Sequence, residues 1–574
     1  MTSTALPTET TPAKAARDQA REGFRQAMSW LHTWAGLVLG WLLFAIFLTG
    51  TLSFFKTELN LWMRPELHGL PPATSDVAER AVAAMNQKVP GVTQWILRLP
   101  DERQNAVTLL WRDTGNGRFE TLLMDPQTGE ALEARKTMGG DFFYRFHYEL
   151  RTAQKGRWAI EGRWVVGVAT MLMFIALLTG VVTHRRIFKD FFTFRPTKGG
   201  QRAWLDAHNV TGVLVLPFYL MITFSGLMIF HTLYMPAGIA TAYQGPKGVE
   251  SQTYFADLQG EKPERRVRRN PGDKVELLPT AMPLAPILAT VRERWNGGRI
   301  GGIQARRDAQ GTPVVEVTRH EGDRLQYRPE RMLFNGVTGQ VLEQTDATSP
   351  AAVTYGVLYG LHLGRFAGPG MRWVLVGFGL LGSLMIATGM VLWSVKRSAH
   401  GQRKGADAQA RARMPFGHRL VASLNIASLA GLPLACGVYL ASNRLLPLNT
   451  PERPDAELSY FFGAWGLALV WALVFPNRRG WSLVLALAGT TWAALPVLNA
   501  LTTATHLGIS LPAGDWLWAG TDLTFLATGA LLSWLAWQLR PGRPLPGRAA
   551  KKAATAPAAQ VPADALSALP ASQA

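Results

Sequence analysis

Cysteine is almost missing from this chain: Cys436 stands alone among 574 residues, inside an apolar run. That excludes a disulfide framework or a thiolate metal cluster within one chain. Acidic residues are also scarce, 40 against 59 Lys and Arg, for a formal charge of +19. The basic residues form no single patch but collect in short segments between apolar runs. This is a pattern of membrane topology and not of nucleic-acid binding. No flavin, nicotinamide or phosphate-loop motif is credible. "GFGLLG" (377–382) has the spacing of a dinucleotide turn, yet it lies within an apolar run, where its glycines fit close helix approach. "HEGDR" (320–324) lacks the second histidine of a metalloprotease helix.

What the chain does have is long apolar stretches. Crossing a bilayer needs about 20 mostly apolar residues, and eight stretches qualify: 30–56, 160–183, 208–235, 371–395, 416–441, 459–476, 481–502 and 515–538. The first is too long for a signal-peptide apolar region, and no A-x-A-like site follows, so it reads as an anchor. Lys and Arg are dense in 184–202, 396–419 and 540–552 and sparse in 442–458 and 503–514. Both termini are therefore expected in the cytoplasm, with 57–157 and 236–370 outside, in the periplasm of a bacterial inner-membrane protein. The division that follows is a cytoplasmic segment 1–27 and spans 28–56, 158–184, 204–235 and 371–396. Cytoplasmic loops 185–203 and 397–415, an additional four-span region 416–540 and a disordered cytoplasmic tail 541–574 complete it.

The first half repeats itself. A shift of 176 residues superposes His32, Gly36 and Gly50 on His208, Gly212 and Gly226. A shift of 209 or 210 places Arg163-Trp164 on Arg372-Trp373, Thr179-Gly180 on Thr388-Gly389, and "DPQTGE" on "NGVTGQ". Each unit is a span out, an outer domain and a span back. Both copies run the same way, so a pseudo-twofold axis lies along the membrane normal. Each outer domain reads as one helix ("DVAERAVAAMNQKV"; "PLAPILATVRERW") followed by a small antiparallel sheet. The expected fold is an all-α polytopic membrane protein of about eight transmembrane helices carrying two small α+β domains.

Six of eleven histidines fall near the ends of the duplicated spans: His32, His184 and His208 at the inner face, His147, His231 and His362 at the outer. A parallel duplication brings His32 and His208 to one depth on opposite sides of the axis. Two neutral imidazoles facing across a gap are what a haem iron needs on its two faces. Gly36 and Gly212 remove bulk where a porphyrin would fit. His147 and His362 offer the same near the outer face, each expected on a loop. His184 and His231 break the duplication, since Trp393 and Phe55 hold the equivalent positions; they are either ligands or contacts to haem propionates. From His208 to His231 is 23 residues, roughly 34 Å along a straight helix, so these two cannot share one haem. Two haems, one per face, is the simplest expectation.

The span, outer domain with a D/N-x-x-T-G turn and returning span ending in T-G resemble the PepSY-associated transmembrane family. "TGVVTHRRIFKDFFTFRP" (179–196) and "FSGLMIFHTLYMPAG" (224–238) are similar to one branch of it, the PiuB-like proteins and FoxB-type ferric-siderophore reductases. The resemblance covers about residues 25–400. It implies a di-haem b inner-membrane protein with two PepSY-like periplasmic domains, haem ligands among the six histidines, and a ferric siderophore as substrate. Reduction would release iron, because hard oxygen donors hold Fe(II) far less well than Fe(III). The reductant must be another molecule: reduced flavin, quinol or a partner reductase. Arg64, Arg145 and Arg365 near the outer ends either attract an anionic chelate or are simply solvated. Trp30, Trp34, Trp164 and Trp373 lie along the electron path or form interfacial belts. Two rivals remain, a non-enzymatic anchor that restrains periplasmic proteins and a transporter of the intact chelate. The sequence assigns the last four spans no role.

Overall fold

A computed structural model of the protein describes residues 12–89, 91–112, 118–150, 161–184, 200–245, 248–249, 251–259, 276–308, 310–327, 330–345, 349–403 and 415–543. Most of both basic loops (185–199 and 404–414) and the tail beyond 543 lie outside the described residues. The helices that matter below are α1 (Pro12–Ser53), α2 (Lys56–Trp62), α3 (Val77–Lys88), α4 (Asp141–Glu149) and α5 (Gly162–Thr183). They continue with α6 (Gly200–Leu214), α7 (Leu216–Ile229), α8 (Leu284–Arg294), α9 (Pro350–Leu363) and α10 (Pro369–Arg403). The last group is α11 (Phe416–Leu445), α12 (Arg453–Val474), α13 (Arg478–Thr502) and α14 (Trp516–Gln538).

Six of these helices are long and apolar enough to cross a bilayer, and the pair α6–α7, bent by 67°, makes up to seven. The expected count of eight is corrected accordingly. The segment expected as the eighth is helical as α14 and packs on α13, but it is not among these six, and it carries Asp522, two glycines and three threonines. The third expected span is not straight. Pro217 has no N–H to donate, the helix breaks at Val215, and Tyr219 Oη donates across the break to Thr211 O at 3.0 Å.

The duplicated spans close into a ring: α1 packs on α5 and α10, α10 on α6, and α5 on α7. At one end of this ring, the sheet end, sit the two domains read from the sequence. Their strands are β1 (Gln94–Arg98), β2 (Val107–Arg112), β3 (Phe119–Met124) and β4 (Ala131–Leu132) in the first half. A two-stranded ribbon, β5 (Gln244–Gly245) and β6 (Gly248–Val249), comes next. The second half supplies β7 (Ile300–Arg307), β8 (Pro313–Arg319), β9 (Arg331–Asn335) and β10 (Val341–Thr345).

The two domains do not stay separate. They form one antiparallel sheet of eight strands, β10-β9-β8-β7-β1-β2-β3-β4, joined where β1 pairs with β7 from Gln94↔Arg306 to Arg98↔Gly302. One apolar core lies under both halves, with Met85 of α3, Ile287 of α8, Trp95, Leu109, Val315 and Phe334 fully or almost fully buried. Alternation drives this: Trp95 and Leu97 face the helices while Gln94, Ile96 and Arg98 face away. The two T-G turns match in detail. Asp125 Oδ1 accepts from Gln127 N and Thr128 N, and Asn335 Oδ1 from Val337 N and Thr338 N, at 2.8–2.9 Å. Gly129 and Gly339 follow with φ of 72° and 73°, which a side chain would resist.

Helices α11–α14 share the bundle's main apolar core with α1, α4 and α5. Polar links fasten them: Trp41 Nε1 donates to Asn425 Oδ1 (2.8 Å), Tyr439 Oη to Gly139 O (3.0 Å) and Thr137 Oγ1 to Glu457 Oε2 (2.5 Å). Arg453 and Glu457 form an ion pair with almost no exposure. Further out, His68 Nε2–H donates to Leu61 O and its Nδ1 accepts from Thr505 Oγ1, with the ring 3.9 Å from Trp518. Burial pulls His68 down to about 4. These helices buttress the ring.

Candidate functional site

The ring encloses two chambers. At the loop end, away from the sheet, a cavity of about 920 Å³ is lined by His32, His184 and His208. At the sheet end a cavity of about 280 Å³ is lined by His147 and His362. Leu43 and Met173 line both, so the wall there is one side chain thick.

The structure pairs four of the six histidines. The rings of His32 and His208 lie 6.1 Å apart between centroids, as do those of His147 and His362, with interplanar angles of 65° and 37°. The first pair stands on the spans α1 and α6. The second stands on α4 and α9, short helices and not the loops expected, ended by left-handed Leu150 (φ 50°) and Gly364 (φ 62°).

Each ring is held in the same way. His32 Nδ1–H donates to Ala176 O (2.8 Å), His208 to Met385 O (2.9 Å) and His147 to Ile46 O (2.8 Å). His362 Nδ1–H bonds Ser225 Oγ (3.0 Å) and the Ile222 carbonyl. In all four cases the carbonyl lies four residues before a glycine: Gly180, Gly389, Gly50 and Gly226. A helical side chain covers the turn on its N-terminal side, so glycine uncovers that carbonyl for a second donor. The glycine also makes room for the ring. A Cβ on Gly50 would lie 2.6 Å from His147 Nδ1, and one on Gly180, Gly226 or Gly389 3.0–3.2 Å from its histidine's Cε1.

Every one of these glycines follows a hydroxyl residue: Thr49, Thr179, Ser225 and Thr388. Each hydroxyl donates back into its own helix, at 2.7–2.8 Å to the carbonyl four residues earlier and at 2.9–3.4 Å to the one three earlier. The second carbonyl is the one its histidine also uses. The sequence shows these dipeptides as duplicated positions; their role as seats for histidines on other helices is visible only in three dimensions.

A carbonyl can only accept, so Nδ1 carries the proton and Nε2 keeps its lone pair for a metal. Metal–imidazole bonds are about 2 Å long, so ligands on opposite sides of one ion have ligating atoms about 4 Å apart and ring centres somewhat further. The 6.1 Å spacing suits that arrangement. Among the described residues no three His, Cys, Asp or Glu gather as a bare-ion site. Two opposed imidazoles instead fit a group that brings its own in-plane ligands, as haem does.

The other expected residues are placed as follows. His184 caps α5 and lines the larger chamber, where its Nδ1 is buried without a partner. His231 turns elsewhere: Nδ1–H donates to Met228 O (2.7 Å), Nε2 bonds Tyr254 Oη, and the ring packs on Tyr254 and Tyr355. Arg365 lines the sheet-end chamber, paired with Glu321 and lying over Tyr327. Arg64 donates to Thr137 O, and burial lowers its pKa against the pull of Asp141. Arg145 is exposed on α4. Trp30, Trp34, Trp164 and Trp373 are 39–64 % exposed on the outside of the ring or at the loop-end mouth. Gly379 and Gly382 of "GFGLLG" face Thr51 and Phe47 of α1 as helix contacts.

Sequence reading missed the residues that tie the sheet to its chamber. Arg103, on the β1–β2 loop, lines the cavity and forms a bidentate pair with Glu58 (2.7 and 2.8 Å), which Arg372 also contacts at 2.6 Å. From the other half, His320 of "HEGDR" donates through Nε2–H to Asp101 Oδ2 at 2.9 Å, beside Glu321, so one loop from each half meets at the chamber.

A model of the PepSY-associated TM region matches residues 29–396. The chain is also similar to the uncharacterized protein PA4219 of Pseudomonas aeruginosa, 26% identical over 397 residues, covering 67% of this chain and 92% of that one. The match takes in both histidine pairs, the whole eight-stranded sheet and all four Thr/Ser-Gly seats, and the chain belongs to the PepSY-associated TM region family.

Proposed function

We propose that this multi-pass membrane protein holds two b-type haems, one in each chamber, and passes electrons across the bacterial inner membrane to reduce a ferric siderophore on the sheet side. The observation that carries this reading is the pair of identical histidine settings at the two ends of one ring. Along α1, His32 and the Ile46 carbonyl that seats His147 are 14 residues apart, about 21 Å of helix. That is most of the roughly 30 Å hydrocarbon layer.

When bound, haem supplies a one-electron couple that cycles without proton transfer at the iron. The chain's own residues do the rest. The four carbonyl bonds fix each imidazole's tautomer and strengthen it as a ligand. The Thr/Ser hydroxyls, sharing those carbonyls, set how strongly Nδ1–H is polarised. Leu43 and Met173, which line both chambers, with Phe47 and Phe218 at the sheet end, set apolar side chains between the two. At the sheet end Lys56, Arg103, Arg163 and Arg365 line the chamber, each paired with a carboxylate that an anionic chelate at the mouth would have to displace. Iron leaves after reduction because oxygen donors hold Fe(II) weakly.

Absorption spectroscopy on the purified protein tests this. Two b-type haems per chain, and reoxidation of the reduced protein by an added ferric siderophore, are the expected results. A colourless protein would leave an anchor or transporter; a coloured one that no ferric chelate reoxidises would remove the substrate assignment.

A further inference from the structure

The two chambers share one histidine geometry but differ about threefold in volume, 920 against 280 Å³. The linings differ in charge as well. In the smaller chamber each cation has a carboxylate partner: Lys56 with Asp141, Arg103 with Glu58, Arg163 with Glu149 and Arg365 with Glu321. The larger one is lined by Arg202, Lys396 and Arg397, and among its described lining residues there is no Asp or Glu. Arg202 is paired behind the wall with Asp206. The Arg397 guanidinium is held 4.0 Å over the Trp393 ring.

Among the described residues, two polar atoms in this wall have no partner. His184 Nδ1 and Trp393 Nε1 are buried and unbonded. Each follows its chamber glycine, Gly180 or Gly389, by four residues, so they flank the cavity from dyad-related helices. An indole N–H only donates, and a buried polar group left unsatisfied is destabilising. An unmet indole donor and an unbonded imidazole nitrogen, beside cations and with no Asp or Glu among the described lining residues, favour an anion.

We propose that the loop-end rim of the larger chamber is an anion site, in which Lys396, Arg397 and Arg202 with the neutral donors His184 and Trp393 hold a carboxylate or phosphate carried on a planar ring. Two sources share that chemistry. One is the carboxylates of the haem itself, which rests on the function proposed above. The other is the phosphate of a reduced flavin nucleotide, whose two electrons would leave singly while its two protons go to the aqueous phase.

The experiment compares wild type with Lys396→Gln/Arg397→Gln in two arms. In the first, haem transfer to an apoglobin acceptor and the midpoint potential of the loop-end haem are measured, with the sheet-end haem as internal control. Haem carboxylates at the rim predict loss faster by about tenfold per cation removed and a lowered loop-end midpoint, with both at wild-type values in Lys396→Arg. In the second, flavin mononucleotide and riboflavin are titrated by fluorescence quenching. A nucleotide at the rim predicts saturable binding that needs the phosphate and is lost in the variant. If neither arm moves, the anion site is wrong. A protein without haem would end the electron-transfer reading, and the flavin arm alone would then decide the rim.

Discussion

At the loop end the two facing histidines stand on membrane helices, His32 on α1 and His208 on α6. At the sheet end His147 and His362 stand on α4 and α9, short helices that lie before the returning spans. The first pair is placed by the packing of the bundle alone. The second depends on caps, on the Arg103–Glu58–Arg372 cluster and on the sheet loops that meet through Asp101 and His320. One end is thus a fixed seat in a wide chamber, and the other a tight chamber whose shape belongs partly to the domain above it. The difference teaches that a duplicated histidine geometry can serve two environments, because the seats lie in the spans and the surroundings do not.

The comparison can be broken most directly at the histidines proposed as ligands. His32→Ala or His208→Ala should remove one haem of two and leave the other, and His147→Ala or His362→Ala should do the converse, read by pyridine haemochrome and redox titration. Loss of both centres from any single change would show that the chambers are not independent. Enlarging a seat comes next: Gly180→Leu should weaken the loop-end haem about 100-fold and spare the sheet end, while Gly50→Leu reverses the pattern.

Acid should act on the sheet-end support through His68. Its folded pKa, about 4, lies below the ordinary value of 6.5, so between these values the unfolded chain binds a proton that the folded one does not. Stability is full above about pH 6.5 and falls as pH drops toward 4, by about 2 kcal/mol once residual solvation is allowed for. Thermal melts at pH 7 and pH 4.5 should show this slope, and His68→Gln should flatten it. The smallest effect is expected at the hydroxyls: Thr179→Val or Thr388→Val should change loop-end affinity by about tenfold or less, with no change in the sheet-end spectrum.

Much of this architecture is legible in the chain. Apolar runs give the spans, and the repeat of His32 and Gly50 as His208 and Gly226 brings the loop-end pair together on symmetry alone. The T-G turns are legible because Asp125 and Asn335 can bond their own backbone. Three things were not. The pairing of β1 with β7 is an edge contact between distant segments, and nothing local in "TQWILRLP" or "IGGIQARR" announces it. The seats of the histidines lie on other helices, so Thr179-Gly180 reads only as a conserved-looking repeat within the chain until His32 is seen beside it. His231 looks equivalent in rank to the four paired histidines, yet its partner Tyr254 comes from a separate helix, and a bend of 67° upstream redirects the segment that carries it.

The β1–β7 seam also bears on what can pass through the ring. Carriers built from two repeats work by rocking one against the other. Here five consecutive residue pairs stitch the halves edge to edge over a common apolar core, and any hinge between repeats would have to tear that ladder at each cycle. A bulky chelate needs such an opening. An electron needs none.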